Sequence, residues 1–168
     1  MQRFFSKYKL YQMTPLLLTV LLSAACHLTD NYHQFRTLRI NGWEQTDTLV
    51  FNLPRQKSSF SAFANIEIRY SGTYPYRSIW LEVKHNELDS TVFQTDTVEC
   101  SLVNSKGTFD GTGISGLYQK SFPLTKISIK AHHAPKFKIT HCMTDKQLKG
   151  IINVGIKLSY EPRQSEGK

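Results

Sequence analysis

The thiol of Cys26 directly follows Ser23-Ala24-Ala25, three small residues that close an apolar run from Leu16 to Leu22. Small side chains before the cut are what a signal peptidase admits, and a cysteine just after them is where acyl chains such as palmitate would be joined. Arg3, Lys7 and Lys9 supply the positive region ahead of the run. As a helix the run would cover about 10 Å against about 30 Å of hydrocarbon, so it is expected to be cleaved and not to span. Residues 1–25 therefore read as a lipoprotein signal peptide and Cys26 as the lipidation site. The plainer alternative is a secreted protein cut near Ala25. Each buried methylene contributes about 0.8 kcal/mol, so more than one chain makes attachment effectively stable.

Other residues with reactive side chains form weaker patterns. His132-His133 stand near His141, but neighbours on a strand point to opposite faces, so only one of the pair could join a metal cluster. No His-Glu-x-x-His or Cys-x-x-Cys spacing occurs, and all three are expected to be solvent-facing histidines at a strand end; no metal is expected. Asp110-Gly111-Thr112-Gly113-Ile114-Ser115-Gly116 lacks the Lys-Ser/Thr of a phosphate loop and the second carboxylate of an aspartic protease, so it is expected to be a loop whose glycines permit positive φ or close backbone approach. No serine sits in a Gly-x-Ser-x-Gly elbow. Cys100 shares a face with Val98 and Leu102 and reads as buried, whereas Cys142 lies opposite Phe137 and Ile139; two free thiols are expected over a disulfide. No catalytic residues and no cofactor emerge from these patterns.

Aromatic residues are more suggestive. Tyr74-Pro75-Tyr76 leads into a segment where Trp80 lies on the face opposite Ile79 and Leu81. Exposed Tyr and Trp on a β-sheet stack on sugars or anchor protein interfaces. The alternative is that Tyr74 and Tyr76 pack a corner between two strands. The surface around Tyr74, Tyr76, Trp80 and Asp145 is the expected contact site for a partner.

The elements that must position these residues are strands. Apolar residues recur with period two, and no segment of a dozen residues sustains a period of 3.6, so the fold is expected to be all-β. Strands are expected at Thr48 to Leu53, Ala64 to Tyr70, Ser78 to Lys84, Thr97 to Val103, Leu117 to Phe122, Lys126 to Ala131, Lys136 to Cys142 and Ile151 to Tyr160. About eight strands suit an antiparallel β-sandwich of jelly-roll type. Asn65, Glu67, Arg69, Glu82, Lys84 and Lys138 are expected on the wet faces. Turn residues such as Ser71-Gly72, Asn104 to Gly107 and Ala134-Pro135 fall between the runs. The body spans 42–160. Residues 26–41 carry the anchor and a linker with a weak strand at Tyr32 to Thr37, and the mixed-charge tail 161–168 is expected to be disordered.

Net charge is +8, of which the leader contributes three, and the remaining Lys and Arg are scattered singly. That bias favours anionic headgroups or acidic partners, and without a basic stripe or stacking motif no nucleic acid is expected. A domain exported past the inner membrane folds without ATP nearby, which removes many enzyme classes.

Several motifs then occur in a fixed order: Cys26, Trp43, Ile68-Arg69-Tyr70, Tyr74-Pro75-Tyr76 into Ile79-Trp80-Leu81, Asp96-Thr97-Val98 and the Gly107 to Gly116 loop. Met143-Thr144-Asp145 follows, with Leu148-Lys149-Gly150-Ile151 and Val154-Gly155. This collinear set resembles the gliding-motility lipoprotein GldH family of Bacteroidetes, over about Tyr32 to Tyr160. The chain departs from the family pattern at Thr144, where arginine is common, and at Phe109, where tryptophan is common. The resemblance implies a non-enzymatic lipoprotein that assists or scaffolds the gliding and linked secretion apparatus, with other envelope proteins as partners. His27-Leu28-Thr29-Asp30 lacks the acidic cluster that tends to mark surface-exported lipoproteins in this phylum, so with the resemblance the periplasmic face of the outer membrane is the expected location. A carbohydrate-binding lipoprotein module is the alternative.

Overall fold

A computed structural model describes residues 32–55, 57–86 and 91–160. The expected leader, the lipidation site Cys26 and the tail 161–168 lie outside the described residues.

The described chain is all-β. Its strands are β1 (His33–Thr37), β2 (Trp43–Glu44), β3 (Leu49–Asn52), β4 (Phe60–Ser71), β5 (Ser78–His85) and β6 (Gln94–Ser101), followed by β7 (Thr112–Ile114), β8 (Leu117–Ile129), β9 (Lys136–His141), β10 (Gln147–Leu148) and β11 (Ile151–Tyr160). They form a sheet ordered β1-β11-β4-β8-β7, a second ordered β3-β9-β5-β6 and a small β10-β2 pair. Setting aside the short β2, β7 and β10, eight strands remain in four nested antiparallel pairs: β1 with β11, β3 with β9, β4 with β8, and β5 with β6. Nested pairs folded over into two sheets are a jelly roll.

Alternation makes the core. Ala62, Ala64, Ile66, Ile68 and Tyr70 of β4 face inward with Val154, Ile156 and Leu158 of β11, and they join one cluster with Ile79, Leu81 and Val83 of β5 and Phe137 and Ile139 of β9. Each fully buried aliphatic or Phe side chain contributes about 1.5–3 kcal/mol, so this cluster holds the two sheets face to face.

Local departures from the expected strands have identifiable causes. Leu117 to Phe122 and Lys126 to Ala131 are not two strands but one, β8, which runs through Pro123. Ala64 pairs with Thr125 and Asn65 with Pro123, so Leu124 is an extra residue in a bulge. A bulge is a place where a sheet tolerates proline. The weak strand near Tyr32 forms as β1, so the folded body reaches into the segment read as linker. The strand expected at Thr97 to Val103 is shifted to Gln94–Ser101, and Val103 makes an isolated bridge to Phe109.

Glu67 corrects an expectation of the alternation. It stands on the outward face yet is 4% exposed. Directly across from it is Gly155, followed by Phe35 in the same row. A Cβ on Gly155 would fall 2.7 Å from Phe35 Cδ1 and 2.8 Å from the Gln34 carbonyl, so the aromatic ring occupies the space that glycine leaves. The Arg69 guanidinium lies 3.9 Å from the centroid of the Phe35 ring. Arg69 Nε donates to Gln119 Oε1, whose Nε2 donates to Glu67 Oε2 at 3.1 Å. The carboxylate is thus covered and hydrogen-bonded, which is how a buried charge is tolerated.

The registers define two ends of the sandwich. At one, Tyr32 accepts a hydrogen bond from Leu158 N at 2.8 Å. At the other lie the end of β1, the start of β11, the end of β4 and the β7–β8 hairpin.

Candidate functional site

The Tyr-Pro-Tyr corner joins β4 to β5 at the end away from Tyr32. Tyr74 N donates to Ser71 O at 3.0 Å and its hydroxyl donates to Ser78 O at 3.0 Å, so this side chain closes the turn from within. It is 3% exposed, and burial pushes its phenol pKa up. Of the four residues expected to meet a partner, Tyr74 therefore supports the surface from below. The turn after β10 packs on it: Gly150 has φ +88°, and a Cβ there would stand 2.7 Å from Tyr74 Cα. Only glycine suits both the angle and the approach.

The other three residues come to the surface together. Tyr76 is 38% exposed, stands edge-on to Tyr74, and donates its hydroxyl to Asp145 Oδ2 at 2.8 Å. That hydrogen bond to a carboxylate pushes the Tyr76 pKa up. Trp80 is 43% exposed on the outward face of β5. Its backbone N–H approaches Met143 Sδ at 3.4 Å, and its carbonyl accepts from Cys142 N at 2.8 Å. The Met143-Thr144-Asp145 segment thus meets the Tyr76 hydroxyl through Asp145 and the Trp80 backbone through Met143, and the ledge so formed carries Tyr76, Trp80, Met143 and Asp145. Sequence reasoning missed Met143 as a member. Its position two residues before Asp145, on the path out of β9, is the signal that could have found it.

The reactive residues are elsewhere. Cys100 and Cys142 are free thiols, the first buried and the second exposed. Burial raises the Cys100 pKa to about 12, so it carries no nucleophilic thiolate at neutral pH. Asp110 pairs with Lys120 Nζ at 2.7 Å, and that hydrogen bond holds its carboxyl below the usual range. Gly111 and Gly116 adopt positive φ, and a Cβ on Gly113 would fall 2.2 Å from Leu117 O, as expected of these glycines, but Thr112–Ile114 form β7 against β8, so the segment is a hairpin and not an open loop. Among the described residues no three His, Cys, Asp or Glu are grouped to hold a metal ion.

His141 overturns its expected solvent exposure. It is 2% exposed, with Nε2 3.1 Å from Trp43 O, the Trp43 ring edge-on at 5.1 Å, and Nδ1 without a hydrogen-bond partner among the described residues. His132 is exposed, and His133 Nε2 lies 3.0 Å from Asn86 O. Burial lowers the His141 pKa below its usual 6.5, more than the Trp43 carbonyl and Asp145 raise it. The folded state thus takes its proton less readily than the unfolded chain. This histidine's contribution to stability should be complete above the usual 6.5 and be lost as pH falls below it, levelling off under the folded-state pKa. Urea unfolding at stepped pH, wild type minus His141→Gln, measures it. A difference that stays flat or grows on acidification would contradict the buried neutral imidazole.

The family model described as GldH lipoprotein matches residues 30–158. No curated protein matches the sequence. Among solved structures, Eiger TNF from S. frugiperda is 8% identical, with 82% of this chain and 97% of that chain covered at a TM-score of 0.37. A family 35 carbohydrate binding module from Clostridium thermocellum is 11% identical, with 76% and 91% covered at a TM-score of 0.34. No helix among the described residues is long and apolar enough to cross a membrane.

Proposed function

The chain belongs to the GldH lipoprotein family, and on that premise we propose that it is a non-enzymatic scaffolding or accessory component of the gliding motility and linked secretion machinery of the Bacteroidetes envelope. Acyl chains on Cys26 tether it to the outer membrane at the periplasmic face, and other envelope proteins dock on the ledge of Tyr76, Trp80, Met143 and Asp145.

The observation that carries this reading is the built character of that ledge. Tyr76 is held by Asp145 and by the ring of Tyr74, and the strand carrying Trp80 is held by Met143 and Cys142. The Tyr76 ring, fixed before contact, loses little entropy on binding, and Trp80 beside it is an exposed residue of the type enriched at interface hot spots. Co-purification from detergent-solubilised envelopes tests it. Trp80→Ala should cut recovery of gliding-apparatus proteins at least about tenfold, the effect of losing roughly 1.4 kcal/mol at a hot spot. Its melting temperature should be little changed, because the indole is 43% exposed. Undiminished recovery would refute the docking site. If Trp80→Ala instead abolished retention on a glycan affinity gel, the carbohydrate-binding reading would replace it.

A further inference from the structure

Ile40 on the turn after β1 is 101% exposed, and Ile114 and Leu117 at the β7–β8 hairpin are 84% and 54% exposed. They flank two adjoining hollows, of about 450 and 330 Å3, that share Ile152 as a common wall. Ile152 is the extra residue where the β11–β4 register shifts between Ile151 and Asn153, which takes it out of the regular alternation. Arg39 and Lys149 line the larger hollow, and neither hollow has an Asp or Glu in its wall. Glu44 stands 3.9 Å from Arg39, but both side chains are well exposed, so the pairing is weak.

From this we infer that the end of the sandwich bearing Ile40, Ile114 and Leu117 is a membrane-contact surface that inserts aliphatic loop tips among anionic phospholipid headgroups. Apolar tips around hollows lined by Arg39 and Lys149 and by no Asp or Glu match an interface with hydrocarbon below and phosphate above. A protein partner would need a separate socket for each protruding tip, whereas a bilayer interface yields to them without one. The bilayer within reach of this surface is the one that the lipid-anchor reading supplies, and to that extent the contact rests on that reading. The domain then lies against the leaflet and is held in a fixed orientation.

Flotation of the mature chain 26–168 carrying Cys26→Ser tests the surface without any acyl contribution, and the described residues all fall within one compact unit. It should float with mixed phosphatidylcholine–phosphatidylglycerol vesicles and much less with phosphatidylcholine alone. A triple variant with Ile40→Ser, Ile114→Ser and Leu117→Ser should lose about tenfold or more of that partitioning, and Arg39→Glu with Lys149→Glu a comparable amount. Both should melt like the parent. No flotation of the parent, or equal flotation of the triple variant, would overturn the inference, and neither result bears on acylation at Cys26. A photoreactive side chain at position 114 of the full-length chain in intact envelopes should label phospholipid. Labelling of a protein alone, or of a second copy of the chain, would also overturn it.

Discussion

Cys26→Ser is expected to leave the chain unmarked by labelled palmitate and to move it from the envelope pellet into the soluble fraction after a high-salt wash. The magnitude follows from the chemistry of the anchor. Each buried methylene contributes about 0.8 kcal/mol, so losing even one chain of ordinary length shifts partitioning by many powers of ten. The salt wash matters because headgroup attraction to Arg39 and Lys149 is screened within a Debye length of about 3 Å at 1 M, while acyl insertion is not screened. Quantitative retention of the serine variant after that wash would remove the lipoprotein premise and, with it, the localisation drawn from it.

Trp43→Ala should be the most damaging single substitution in the body. Trp43 is fully buried on the small β2–β10 pair, opposite Leu148. Its Nε1 donates to Asp47 O at 2.9 Å and its carbonyl meets His141 Nε2 at 3.1 Å. Removing a buried indole costs about 3–5 kcal/mol in lost transfer energy and residual cavity, out of a total stability of about 5–15 kcal/mol for a domain. The melting temperature should fall by roughly 10 °C. Thermal and urea unfolding measure it, and a loss below about 1 kcal/mol would mean that β2 and β10 lie outside the cooperative core. The vacated space also admits water to His141, so the acid dependence of stability should flatten in the same variant. A partly filled site in Trp43→Phe should fall between the two.

Residue faces were the most legible part of the fold. Phe137, Ile139 and His141 share one parity, and counting by two along β9 places His141 inside with its neighbours. The histidine type had argued for solvent, and the strand's period won. Glu67 is the opposite case, since its outward parity is correct but the Phe35 ring covers that row from β1. Nothing near Glu67 in the chain signals this. The separate strands expected at Leu117 to Phe122 and Lys126 to Ala131 fail for a related reason, since the one strand β8 carries Pro123 through a bulge at Leu124 that only the pairing with β4 reveals. At the ledge, residue types correctly drew attention to the Tyr-Pro-Tyr corner. They could not tell which tyrosine would close the turn and which would face out, because that depends on Tyr74 reaching Ser78 and on the Gly150 turn packing behind it.

The case for an acylated Cys26 and the all-β character are carried by linear order and local period, since a signal peptidase reads a contiguous segment and a pleat alternates from one residue to the next. The nested pairing, the burial of Glu67, and the gathering of Ile40 with Ile114 or of Tyr76 with Asp145 were decided only in three dimensions. These depend on contacts between residues far apart in the chain, whose closure is chosen by the packing of the whole core and leaves no periodic trace in any one segment.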